Sequence, residues 1–169
     1  MLKILKILML LVSLVQMAAV VVAQDVPGKE IMTDSHLRNL VLARNIRDSV
    51  FVFDFSEPGF HNETQLRYLG TLESTGGRIF RVLSSSWIWG QSRRATNRVL
   101  IYSEDNQYLG EYHVAIKDEL PKGIENNELL FIVPGDDQIN SMETRISFAN
   151  GVPKQISIEG GGTYRFETD

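Results

Sequence analysis

The sequence predicts a mainly β protein: an antiparallel meander curled into a partial barrel or sandwich, with one short N-terminal helix. Three observations carry this expectation. Short runs rich in valine, isoleucine and aromatic residues recur along the chain, as in "SVFVFDF", "RIFRVLSSSWIW" and "ELLFIV". Turn signals separate them, among them Pro58-Gly59, "STGG", Asp105-Asn106 and Asn150-Gly151. Helical spacing of apolar residues occurs at one place only, after Asp34. Strands joined by short turns favour neighbour-to-neighbour antiparallel pairing.

The opening "MLKILKILMLLVSLVQMAAVVVAQD" has Lys3 and Lys6 before an apolar run, then the small residues Val21 and Ala23. This reads as a signal peptide over 1–23, cleaved between Ala23 and Gln24. An uncleaved N-terminal anchor is the alternative, although the run falls short of the ~20 residues a spanning helix needs. Residues 24–33 read as a flexible leader, and 34–169 as a single β-rich domain. The chain has no cysteine, which excludes disulfides and thiolate metal sites. An exported protein of this size without disulfides points to a bacterial source and a periplasmic or extracellular destination. No membrane span is expected after cleavage.

A short helix is predicted over 35–46, capped by Asp34 or Ser35 and carrying Leu37, Leu40 and Val41 on one stripe, with a strand as the alternative because Leu40 and Leu42 alternate with Val41 and Ala43. Residues 49–55 form a strand with Phe51, Phe53 and Phe55 on a core face. The loop "SEPGFHNET" follows, then a strand over 65–73 with Leu66, Tyr68, Gly70 and Leu72 on one face. The next strand spans 78–89. Residues 98–116 read as a hairpin with a two-residue loop at Asp105-Asn106, which places Arg98 opposite His113, Ile101 opposite Gly110 and Tyr102 opposite Leu109. After a loop over 118–127 come a strand over 128–133 and three short strands to the end.

Charge is unevenly spread. Of the chain's 17 Lys and Arg, all but Lys3 and Lys6 follow residue 23, against 21 Asp and Glu. That acidity argues against nucleic acid as a partner. Residues 74–103 contain no acid and five arginines: Arg78, Arg81, Arg93, Arg94 and Arg98. They either pair with acids on neighbouring strands or form a positive face for an anionic group.

Within this window lies "SSSWIWGQSRR". In an extended strand Trp87 and Trp89 share a face, about 6.6–7 Å apart. Two exposed indoles would present about 300–500 Å², close to the largest apolar patch a monomer shows, so burial of at least one is favoured. The alternative is a ligand-facing platform, with Arg93, Arg94 and Arg98 as charged donors. Catalytic motifs are absent. "GQSRR" lacks the second glycine of a nucleophile elbow, and the glycine runs lack the lysine of a phosphate loop. His36, His61 and His113 have no metal-ligand spacing, and no metal or cofactor is expected. Asp136-Asp137 is a turn with too few oxygens for calcium. Glu111 and His113 are weak acid/base candidates, with Asp118 or Glu119 as helpers. "NET" at 62–64 fits a glycosylation acceptor on a loop.

The segments "WIWGQSRRATNRVLIYSEDNQYLGEYHV" and "LPKGIENNELLF" resemble small exported proteins of Bacteroidota. The resemblance spans most of the chain after residue 23 and brings no catalytic or binding residues with it. The expected function is an exported, non-enzymatic β-rich domain that binds a ligand (a glycan or an anionic group) or an envelope protein. The alternatives are a hydrolase-like enzyme and a purely structural envelope component.

Overall fold

The computed structural model describes residues 20–22, 32–135 and 140–168. Most of the expected signal peptide and leader, and Asp136-Asp137, lie outside the described residues. The molecule is mainly β, with one α-helix and two sheets, and no closed barrel forms among the described residues.

The large sheet contains eight strands: β1 (Val20–Val22), β2 (Val50–Asp54), β3 (Asn62–Glu73), β4 (Ile79–Trp89), β5 (Arg94–Ser103), β6 (Tyr108–Val114), β10 (Gln155–Ser157) and β11 (Thr163–Glu167). From β2 to β6 each strand pairs with the next, the expected meander. The chain then leaves through a 3₁₀ turn (Lys117–Glu119) to build the small sheet β7 (Gly123–Glu125), β8 (Glu128–Pro134) and β9 (Ser141–Ser147). It returns as β10 and β11, and β11 pairs with β6. All these pairs are antiparallel. β1 alone is parallel, with Val20 opposite Val50. Cleavage at Ala23 would remove β1 and leave β2 as the sheet edge.

The two faces of the large sheet bury separate cores. One packs against the small sheet, where Phe80, Val82, Val99, Ile101 and Tyr112 meet Leu129, Phe131, Val133 and Phe148. The other packs against α1 (Asp34–Arg44), where Leu37, Val41 and Leu42 meet Phe51, Phe53, Leu66, Leu83 and Leu100.

Several expectations are corrected. The helix starts one residue early because Thr33 caps it, its hydroxyl accepting from the His36 N–H. It ends at Asn45, which takes the left-handed conformation at φ 52°. In β3, Leu69 is the extra residue of a bulge between Tyr68 and Gly70. The bulge flips the strand, so Leu66 and Tyr68 join the helix-side core while Leu69 and Leu72 join the other. Phe55 is 42% exposed, since β2 ends at Asp54. Residues 123–125, expected in a loop, form β7.

The β5–β6 hairpin shows two departures that cancel. Its loop has three residues, Glu104 to Asn106, closed by the Ser103 N–H on the Gln107 carbonyl, with Asn106 at φ 62°. Tyr102 therefore faces Tyr108 rather than Leu109. A register shift then restores Ile101 opposite Gly110 and Arg98 opposite His113, as expected. Gly110 cannot be replaced freely: it sits at φ 144°, and a Cβ there would lie 2.3 Å from the Glu167 carbonyl oxygen of β11.

Candidate functional site

Antiparallel register sets the helix-side face in rows. The outermost row holds Asn62, Trp89 and Arg94; the next holds Phe53, Thr64, Trp87 and Thr96. Then come Phe51, Leu66, Ser85, Arg98 and His113, followed by Leu83, Leu100, Glu111 and Glu167. Helix α1 buries residues toward the inner rows through Leu37, Val41 and Leu42. The tryptophans occupy the outer rows of the same face.

Both indoles thus lie on the helix side, and neither belongs to either buried core. They stack on each other, centroids 5.5 Å apart and planes 25° apart. Trp87 is 38% exposed and Trp89 half-buried. The Trp87 Nε1–H donates to Asn62 Oδ1 at 2.9 Å. The Trp89 Nε1–H is occluded and has no acceptor among the described residues. The Arg94 guanidinium lies 5.9 Å from the Trp89 ring centroid. A cleft of about 230 Å³ opens beside Trp87, lined by Met32, Asp34, Leu37, Phe55, Asn62, Thr64 and Arg98. It combines an aromatic and aliphatic wall with amide, hydroxyl, carboxylate and guanidinium groups.

The five arginines of the acid-free window do not gather into one positive face. Arg98 alone among them makes ion pairs with described residues, to Asp34 at 3.6 Å and Glu111 at 3.3 Å. Its Nε lies near enough to Glu111 to pair electrostatically but is not aligned as a hydrogen bond. Arg81 donates to the Leu42 carbonyl and Asn45 Oδ1, tying the helix end to the sheet, and stacks over Tyr68. Arg78 lies over Phe80. Arg93 sits in the β4–β5 turn at φ 50°, exposed.

Behind Arg98 is a charged network. Glu111 lies within ion-pair distance of three groups: His113 Nε2 at 2.8 Å, Arg98 at 3.3 Å and Arg38 at 3.9 Å. Arg38 also pairs with Asp34 at 2.5 Å. Burial disfavours the Arg38 charge, but Asp34, Tyr102 and Glu111 outweigh it and raise its pKa above the ordinary arginine value. A second, polar cleft adjoins this network, with Ser35, Tyr102, Gln107 and Tyr108 among its walls. Arg98 lines both clefts.

The proposed acid/base helpers are elsewhere. Asp118 lines a cleft floored by Ser84 and Ser86, on the opposite sheet face from Glu111. Glu119 is buried there and accepts from the Tyr164 hydroxyl and the Gly162 N–H. His61 contacts Ser56 and Glu63, far in register from His113. No group of three His, Cys, Asp or Glu suited to a metal occurs among the described residues. Asn62 of the "NET" triplet opens β3 rather than lying in a loop, and its side chain already accepts from Trp87.

Sequence reasoning did not single out Asp34, Phe55, Asn62 or Met32 as site residues. They reach the cleft from the helix start and the β2–β3 hairpin, contacts that no local pattern encodes. Compared with known proteins, the chain matches no family model, no curated protein and no solved structure.

Proposed function

We propose that this chain is an exported, non-enzymatic binding domain whose ligand is a neutral glycan, held at the Trp87 cleft. The observation that carries the reading is the stacked, half-open tryptophan pair beside a cleft whose charges come as a matched pair, Asp34 and Arg98. A sugar ring offers a C–H face for an aromatic wall and hydroxyls for amide, carboxylate and guanidinium partners. An anion would find Arg98 already occupied by Asp34 and Glu111.

Trp87 and Trp89 are the chain's two tryptophans, so intrinsic fluorescence reports the cleft directly. Titration with cellohexaose, chitohexaose and maltoheptaose should give a saturable spectral change for at least one of them. Trp87→Ala should weaken that binding at least tenfold while the melting midpoint falls by only a few degrees. The reading fails if none of the three sugars perturbs the spectrum, or if Trp87→Ala binds unchanged. Export is tested by N-terminal sequencing of the released protein, with Gln24 expected first.

The hydrolase alternative draws on the short His113–Glu111 contact. Against it, Glu111 is committed to two arginines as well as His113, and the other carboxylates proposed lie across the sheet. Among the described residues, no helix is long and apolar enough to cross a membrane.

A further inference from the structure

We infer that the opposite face of the large sheet carries a second ligand site, for a small organic anion with an apolar body. The site is a cleft of about 230 Å³ between the centre of β4 and the turn that leads to β7. Its floor is polar where a sheet centre facing a core is usually aliphatic. Ser84 and Ser86 are buried, and Ser86 Oγ donates to the buried Asn97 Oδ1 at 2.8 Å. The Ser84 hydroxyl makes no side-chain hydrogen bond to a described residue and, unlike the occluded Trp89 Nε1–H, keeps access to solvent at the cleft. Leu120 and Pro121 supply an apolar wall.

Charge selects the ligand's sign. Lys117 Nζ donates to Gln65 Oε1 at 2.7 Å and Lys122 Nζ to the Asp118 carbonyl at 3.1 Å. Both acceptors are neutral, and neither lysine makes an ion pair with a described residue. Arg67 also lines the cleft but is paired with Asp48 at 2.9 Å. The Asp118 carboxylate on the rim is the one acid lining it. Two ammonium groups without acid partners therefore meet at one cleft of an acidic protein. An anion with a short hydrocarbon body answers the lysines, the free hydroxyl and the apolar wall together. The site does not depend on what occupies the tryptophan cleft, because it lies on the other face.

The test uses the full chain and three probes: hexanoate, inorganic phosphate and hexyl glucoside. Hexanoate should saturably shift the backbone amide resonances of Ser84, Ser86 and Leu120 while leaving tryptophan fluorescence unchanged. Phosphate and hexyl glucoside should each bind at least tenfold more weakly. The exposed double variant Lys117→Gln/Lys122→Gln should melt as wild type and lose at least tenfold in hexanoate affinity, whereas Lys117→Arg/Lys122→Arg keeps it. Absence of localised shifts, equal binding of either other probe, or unchanged affinity in the glutamine variant would overturn the proposal.

Discussion

The two faces of the large sheet are built from the same strands but finished differently. One is roofed by a second sheet, and its apolar side chains are almost all shut from water: Val82, Val99, Ile101, Leu129, Phe131 and Phe148 have essentially no exposed surface. The other is roofed by a single helix of 11 residues with three buried side chains. Its outer rows are left to indoles, an amide and hydroxyls, with ion pairs at Arg98 and Glu111 behind them. The difference separates two jobs. The closed face supplies most of the hydrophobic driving force, since that scales with apolar area removed from water. The half-open face leaves aromatic surface at Trp87 in contact with water, where the proposed glycan would stack.

The contrast is broken most severely from the closed side. Phe131 lies on the central strand of the small sheet and is fully buried between the layers. Phe131→Ala is expected to cost about 3–5 kcal/mol, enough to unfold much of a marginally stable domain. Urea denaturation followed by circular dichroism measures it. A loss below about 1 kcal/mol would mean that the small sheet is not part of the cooperative core.

On the half-open face the largest expected effect comes from Glu111, whose side chain is only 12% exposed and bridges β6 to both Arg38 of the helix and Arg98 of β5. Glu111→Gln keeps the shape and removes the charge. It leaves two part-buried guanidinium groups less compensated, for a loss of about 1–3 kcal/mol. The same variant should loosen α1, seen as faster amide exchange at Leu37 and Val41. Trp87→Ala should be milder, about 1 kcal/mol, because it removes one stacked pair and surface that is already partly wet. An outcome with Trp87→Ala costlier than Glu111→Gln would assign the indoles to packing rather than recognition.

How far these faces could be read in advance follows from which interactions are local. Away from its turn, the β5–β6 register was legible because Ile101, Val99 and Tyr112 alternate against Arg98 and His113, and a slip would invert the faces. The shared face of Trp87 and Trp89 was legible for the same reason of period two. The bulge at Leu69 was not, since "LRYLGTL" alternates acceptably in either phase and only Gly70 marks the break. The choice of face for the indoles was equally out of reach. It depends on where an 11-residue helix stops along a sheet, which is set by Thr33 and by the distant partners of Arg38 and Arg81. The acid-free window left two readings open, arginines paired with acids on neighbouring strands or one positive face. Its arginines spread along both faces, because successive strand residues point in opposite directions.

The smallest effect at neutral pH becomes visible only in alkali, and it compares the faces once more. Burial raises the Tyr112 phenol above its ordinary pKa on the closed face, where its hydroxyl donates to the Pro153 carbonyl. Burial also raises Tyr102 on the helix face, with Arg38 opposing the shift. A raised pKa means that the folded state holds its proton while the unfolded chain releases it. The stabilising contribution is complete below the unfolded value, about 10 for tyrosine, and shrinks as pH rises toward the folded one. The melting midpoint should therefore fall as pH climbs above about 10, with no contribution from Tyr112 or Tyr102 to its slope between pH 6 and 9. Tyr112→Phe lowers the midpoint at neutral pH through the lost hydrogen bond to Pro153 but flattens the alkaline decline. Tyr102→Phe flattens it less, because Arg38 favours the charged phenolate on that side. Equal slopes in the two variants would mean that the faces shield their phenols alike, and that the helix closes its side more tightly than the exposed tryptophans suggest.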